Sequence, residues 1–216
     1  MTDAKDAVLA ILGGTGDQGR GLARQFARAG NRVIIGSRSA GRAVETANEL
    51  GIEGMANAAA AAAADIIIAA VPYEGHAELL AGLRDELRGK ILVDCVNPLA
   101  FDAHGPYPVR VPEGSAAEQA AAVLPDTTVV AAFHHVSAKL LQDPEITSFD
   151  LDILVLGEDR AATDLVRALA ARIPGMRGIY AGRLRNAGQV EAFTANLIAI
   201  NRRYKAHAGI RVTDVS

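Results

Sequence analysis

The chain has 216 residues, half of them hydrophobic, and a formal net charge of −3. That length suits one domain, or one with a small appendage, and the charge gives no general attraction to nucleic acid or an anionic membrane. Cys95 is the single cysteine, so no internal disulfide can form; it closes the apolar run ILVDC and reads as a buried core thiol rather than a nucleophile.

Residues 7–12 are predicted as a buried strand. They run into Gly14-Thr15-Gly16-Asp17-Gln18-Gly19, a G-x-G-x-x-G, and then into an amphipathic helix with Leu22, Phe26 and Ala29 on one face. Gly30 ends that helix, and a second strand covers 32–35. Strand, glycine turn, helix, strand is the opening unit of a dinucleotide-binding fold. Gly14 is expected to allow the tight turn, Gly16 to let a pyrophosphate approach the backbone, and Gly19 to let the helix pack closely. The free N–H groups and the dipole at the helix start favour phosphate charge.

The second strand ends in Gly36-Ser37-Arg38, with Arg42 one helical turn on. An NAD site places a carboxylate there for the ribose 2′-OH; here a hydroxyl and two guanidinium groups suit a 2′-phosphate, so NADP(H) is expected. The blander alternative is that both arginines are solvated charges at a helix start.

A helix is predicted over 41–50, ended by Gly51, and another over the alanine tract 58–64, since alanine is the best helix former. The run 65–71 reads as a parallel strand buried on both faces. A loop opens at Pro72-Tyr73, a helix covers 75–87 and a strand 90–95. Residues 97–114 are predicted as a loop. Ser115 caps a helix through Val123, with Glu118 at the capping-box position. Strands follow at 128–133, 152–157 and 178–181, with a helix over 160–172, a hinge at 182–186 and a last helix over 187–206. Such alternation predicts an α/β fold: a Rossmann-like, doubly wound, mainly parallel sheet over residues 1–182, with a small C-terminal helical segment, 183–216, completing the cleft. The polar, acidic N-terminus and the interrupted apolar run near 58–71 suggest neither a signal peptide nor a membrane span, so a cytoplasmic protein is expected.

In such a sheet, ligands sit outside the carboxyl ends of the strands. The candidate positions are therefore Gly14–Gly19, Gly36–Arg38, Val71-Pro72-Tyr73, Asn97-Pro98-Leu99 and His134–Ala138. They hold no H-E-x-x-H, C-x-x-C or G-x-S-x-G, so neither a metal site nor a catalytic nucleophile is expected. In extended chain, the adjacent His134 and His135 would point opposite ways and could not easily share a metal. The turns offer few titrating groups, which suits hydride transfer between cofactor rings.

On these residues the chain resembles the F420-dependent NADP reductases (F420H2:NADP+ oxidoreductases). The matching segments are LGGTGDQGRGLA, IGSR, VPYEGHA, NPLA, SAAEQ, AAFHHVSA and GRLRNAGQVE, spread from about Val8 to Ile210. The resemblance implies hydride transfer between NADP(H) and the deazaflavin coenzyme F420, a co-substrate. It implies that Thr15, Gly16, Asp17 and Gln18 hold the pyrophosphate and that Ser37, Arg38 and Arg42 hold the 2′-phosphate. Tyr73, Leu99 and Ala138 would bound the ribose and nicotinamide; His134 and Val136 would lie against the deazaflavin, His134 orienting it with no residue acting as an obligatory acid or base. His76 could approach the nicotinamide edge, or His134 could be a core histidine bonded to a carbonyl.

Two rivals stay open. One is an NADPH-dependent reductase of imines, ketones or metal ions, which usually needs a larger C-terminal portion; the other is a non-enzymatic NADP(H) sensor. The basic residues Arg183, Arg185, Arg202, Arg203 and Lys205 either receive an anionic coenzyme tail or cap the last helix. That helix, with Val190, Phe193, Leu197, Ile198 and Ile200, is apolar around much of its circumference, and a homodimer is expected.

Overall fold

The computed structural model describes residues 3–215. In chain order its elements are β1 (Leu9–Leu12), α1 (Asp17–Arg28), β2 (Val33–Ser37), α2 (Ala40–Leu50), β3 (Glu53–Ala56), α3 (Asn57–Ala63), β4 (Ile66–Ala69), α4 (His76–Ala81), α5 (Arg84–Leu87), β5 (Ile91–Asp94), β6 (Leu99–Asp102), β7 (Gly105–Pro108), α6 (Ala116–Val123), β8 (Thr128–Ala131), α7 (Ala138–Gln142), β9 (Leu151–Gly157), α8 (Arg160–Ala170), β10 (Met176–Gly182) and α9 (Ala187–Tyr204). Among the described residues, eight strands form one sheet in the order β10-β9-β8-β5-β4-β1-β2-β3. All neighbours are parallel except β8 and β9.

Side chains alternate across a strand, and the apolar runs therefore build two cores. Leu9, Ile11, Ile66 and Ile68 pack on one face with Leu22 and Phe26 of α1 and Val166 and Leu169 of α8. Ala10, Leu12, Ile67 and Ala69 pack on the other with Ala60 of α3, Leu80 of α4 and Ala120 of α6. Each fully buried Leu or Ile contributes roughly 1.5–3 kcal/mol, so runs apolar on both faces settle in the middle of the sheet. The chain order reverses between β1 and β4, which places a crevice at the carboxyl ends of those strands,.

Several elements differ from expectation. β3 is an edge strand of sequence EGMA with no apolar alternation; Gly54 is there because a Cβ would come within 2.4 Å of the Ala43 carbonyl on α2. The loop after Asn97 contains the β6–β7 hairpin, whose turn is held by Asp102 Oδ1 accepting from His104 N and Gly105 N at 2.7 and 3.1 Å. The helix expected over 75–87 is two, α4 and α5, and the hinge at 182–186 holds a 3-10 turn, Leu184–Asn186. α7 is too short to carry a period. It docks on α1, where Gln25 Nε2 donates to Leu141 O at 2.6 Å, and this fixes the histidine segment just before it.

No helix among the described residues is long and apolar enough to cross a membrane.

Candidate active site

The turn after β1 is built from close backbone approaches. Gly13, not Gly14, takes the left-handed conformation, at φ +74°, and a Cβ on it would lie 2.5 Å from the Ala70 carbonyl. Gly14 is held instead by Ile11 O and Ile35, both 2.9 Å from where its Cβ would be, and Gly19 by Gly13 O at 2.7 Å. At Gly16 a Cβ would meet only one atom, at 3.4 Å. Gly16 thus faces open space, while its neighbours shape the cradle. This is the arrangement a pyrophosphate needs, with backbone N–H groups reachable from outside.

From this cradle a trench runs both ways along the strand ends. Towards β2 it opens into a cavity of about 540 Å³ lined by Thr15, Gly16, Ser37, Arg38, Arg42 and Asn57, with Val71, Pro72 and Glu74 opposite. Arg38 and Arg42 are exposed, and among the described residues neither side chain makes an ion pair. Ser39 rather than either arginine caps α2, its Oγ accepting from Arg42 N at 3.4 Å. Two guanidinium groups beside a cleft with no partner of their own are matched to an anion.

In the middle, Gly16, Asp17 and Gln18 face Val71, Pro72, Val96 and Asn97 across a cavity of about 290 Å³. Beyond it lies a cavity of about 860 Å³, lined by Asp17, Gln18, Asn97, His134, Val136 and Ala138, with α9 as its far wall. Shared lining residues make these one continuous trench: Gly16 joins the first two cavities, and Asp17, Gln18 and Asn97 join the last two.

The histidine segment is a turn, and Phe133 before it is left-handed at φ +63°, a conformation uncommon outside glycine. Phe133 is fully buried and meets Phe26 edge-on, with ring centroids 5.8 Å apart. The divergence expected of His134 and His135 assumed extended chain; the segment is a turn instead, and both residues are among those lining the same cavity. Both are buried, and burial first of all lowers their pKa values to about 4, so both rings are neutral at pH 7. His135 Nε2 accepts from Leu154 N at 3.3 Å. Among the described residues neither buried ring nitrogen of His134 has a hydrogen-bond partner, an uncommon state for buried polar atoms. Its carbonyl is engaged, accepting from Asn97 Nδ2 at 2.9 Å and Thr194 Oγ1 at 3.4 Å.

Other residues fall outside the trench lining. Tyr73, Pro98 and Leu99 do not line the three cavities, although their neighbours do. The Gln18 amide donates to Phe133 O at 3.1 Å, which leaves mainly its backbone to the cradle. His76 is fully buried, hydrogen-bonded to Asp94, and not among the residues lining the three cavities. Cys95 is among the residues lining the middle cavity, but its thiol is buried: Sγ donates to Ala69 O at 2.9 Å, and burial raises its pKa.

The sequence reading missed most of the far wall: Phe101 on β6, Lys139 on α7, and Thr194, Leu197, Ile198 and Asn201 on α9. Of the basic cluster, Arg202 and Lys205 reach this wall with Lys139, while Arg183 pairs with Glu158 at 3.3 Å. Only the density of cations near the C-terminus signalled any of this.

The family model for NADP oxidoreductases, coenzyme F420-dependent, matches residues 8–98. The F420-dependent NADP reductase of Methanothermobacter thermautotrophicus is 40% identical, covering 96% of this chain and 95% of that protein. That of Methanocaldococcus jannaschii is 41% identical over 96% and 98%. The chain belongs to the F420-dependent NADP reductase family. A putative F420-dependent NADP reductase from Arthrobacter sp. FB24 superimposes with a TM-score of 0.82 at 29% identity, covering 95% of this chain and 98% of that one. Imine reductases share the fold, but this chain covers only 62% of the one from Streptomyces aurantiacus, and it covers 38% of the rat metalloreductase STEAP3. The F420-dependent reductases match it end to end, whereas those rivals carry additional chain.

The far wall depends on the C-terminal tail, which Asp152 fastens. This buried carboxylate receives Arg177 Nε and NH2 at 2.7 and 2.8 Å and Val212 N at 2.7 Å. The Arg177 hydrogen bonds above all hold its pKa down to about 2. A folded-state pKa below the unfolded value stabilises above the unfolded value and stops doing so as pH falls through the folded one. Stability is therefore expected to drop by roughly 1–2 kcal/mol between about pH 4 and pH 2, allowing for screening at the part-exposed arginine. Urea unfolding at pH 5 and pH 2.5 checks this: Asp152→Asn should flatten the difference, and an equal acid loss in both proteins would refute it.

Proposed function

We propose that this chain is an NADPH-dependent F420 reductase in which both coenzymes share one trench. NADP(H) would lie from Arg38 to Asn97, held by Ser37, Arg38 and Arg42 at the 2′-phosphate and by Thr15, Gly16, Asp17 and Gln18 at the pyrophosphate. F420 would occupy the cavity between His134 and α9. The observation that carries this reading is the continuity of the trench: a nucleotide sensor has no use for a second cavity of about 860 Å³ opening directly from the first. The residues fit both groups. Gly16 leaves a phosphate-sized approach open, and His134 is among the residues lining the second cavity.

When bound, the coenzymes supply the hydride donor and acceptor carbons. The protein's part is to bind, orient and exclude water. His134 is neutral and supplies one N–H donor and one acceptor, enough to fix a ring with polar edges. Lys139, Arg202 and Lys205 form a basic rim suited to an anionic tail. The segment 183–216 is read as a subdomain that completes the site over the domain 1–182.

Turnover with NADPH deuterated at the transferring position is the test. Deuterium is expected on the reduced F420 with none in solvent, and washout to water would overturn direct transfer. His134→Ala is expected to weaken F420 binding and slow turnover by less than the ~10²–10⁴-fold that loss of an acid–base residue costs.

We also infer a cytoplasmic homodimer with no nucleic-acid partner. On α9, Phe193 and Tyr204 are 43% and 74% exposed, and Phe101 on the adjoining hairpin is 60% exposed. Such a patch marks an association surface. Light scattering at micromolar concentration should give twice the monomer mass.

A further inference from the structure

A polar cluster lies behind the trench, unused by the chemistry above. His76, the first residue of α4, and Asp94, the last of β5, have fully buried side chains joined by Nε2···Oδ2 at 2.6 Å. Asp94 Oδ1 accepts from Val96 N at 3.0 Å. Glu191 on α9 is buried too; its two oxygens accept from Ala116 N and Ala117 N at 2.9 and 3.2 Å, closing the start of α6.

Position gives the pair its meaning. His76 ends the loop after β4, which supplies Val71 and Pro72 to the trench; Asp94 begins the loop after β5, which supplies Val96 and Asn97. Each loop is otherwise tied within itself or to the sheet: His76 N to Tyr73 O, Ala70 N to Leu12 O, Cys95 N to Ala69 O. Among the described residues, the His76–Asp94 contact is the hydrogen bond that joins segment 70–76 to segment 94–99. From Asp94 the connection runs through Val96 to Asn97, which holds the His134 carbonyl, and Thr194 reaches Asn97 Oδ1 at 3.3 Å.

We propose that His76 and Asp94 are positioning residues: a buried latch that sets the spacing of the two loops around the nicotinamide half of NADP(H), and through Asn97 the placement of His134. The assignment rests on the NADP(H) reading of the trench. Neither residue touches the cavity that receives the coenzyme.

Burial opposes charge on the His76 ring, but the Asp94 carboxylate outweighs it by charge and hydrogen bond and holds the pKa above its ordinary value. The other groups facing the ring are Glu191 from α9 and Gln119 from α6; Glu118 of α6 is turned to Ser115, and His134 lies near Asp94 and is neutral. A raised folded-state pKa means the charge on the pair stabilises below the unfolded value and is lost as pH rises through the folded one, while the neutral ring keeps an N–H that can donate to Asp94.

Calorimetry with two ligands tests this without turnover. NADP+ spans the trench, whereas 2′,5′-ADP reaches only the cradle and the arginines. His76→Ala is expected to weaken NADP+ about tenfold, as loss of one charge-assisted hydrogen bond does, and to leave 2′,5′-ADP unchanged. His76→Gln, whose amide can still donate to Asp94, is expected to recover most of that loss. Equal weakening of both ligands by His76→Ala, or wild-type NADP+ affinity in that variant, overturns the latch. Failure of the wild type to bind either ligand would instead overturn the reading of the trench, and the latch with it.

Discussion

Gly16→Val is expected to remove most NADPH binding while leaving the fold intact. The two halves of that expectation come from one observation: a Cβ at Gly16 would meet a single atom at 3.4 Å, whereas one at Gly13, Gly14 or Gly19 would come within 3 Å of backbone. The branched side chain therefore grows into the trench. It would block backbone N–H groups from a charged ligand, each such hydrogen bond being worth roughly 1.5–3 kcal/mol. Loss of two amounts to at least ~100-fold in affinity. Circular dichroism should match the wild type, and fluorescence titration should show no saturable NADPH binding. Gly19→Val is the contrasting case, expected to lower the melting temperature because Gly13 O stands 2.7 Å from its added carbon. Undiminished NADPH binding by Gly16→Val would refute the cradle.

The second large effect is expected of the Arg38→Ala, Arg42→Ala double variant. Arg38 and Arg42 line the cavity next to Ser37, and among the described residues neither has an ion-pair partner, so removing them breaks no ion pair there. Each charge-assisted contact to a phosphate is worth about tenfold. NADPH affinity should fall by roughly 100-fold with NADH affinity nearly unchanged, turning a strong preference into near parity. Raising the salt concentration should weaken NADPH binding to the wild type and much less to the variant, since exposed charges are screened. Equal losses for both nucleotides would show that the arginines serve the fold or the adenosine rather than the 2′-phosphate.

Most of the frame was legible in the residues. The runs at 7–12, 65–71 and 90–95 are apolar on both alternating faces, and only the middle of a parallel sheet buries both. The glycines of the first turn and the absence of a carboxylate after the second strand mark the nucleotide end of the trench, because backbone approach and phosphate charge are local requirements. β3 and α7 were not legible: four residues of EGMA and five of AKLLQ are held by packing on α2 and α1 rather than by any period of their own.

What only the tertiary structure decided is the second half of the site. A helix pattern shows which residues are apolar but not what lies opposite them, so Leu197 and Ile198 read as core or interface until α9 was seen to wall the cavity facing His134. The same holds for His76, read as able to approach the nicotinamide edge, whose fully buried ring meets a partner 18 residues away. The histidine turn is the sharpest case. The letters His134-His135 suggest two rings on opposite sides of an extended chain. The backbone is a turn instead, entered through a left-handed Phe133 that packs against Phe26, and both residues are among those lining one cavity. Local chemistry is written in sequence order; the cavity wall depends on contacts between distant segments, such as Asp152 fastening the tail 60 residues later, whose free energy exists only once the chain has closed on itself.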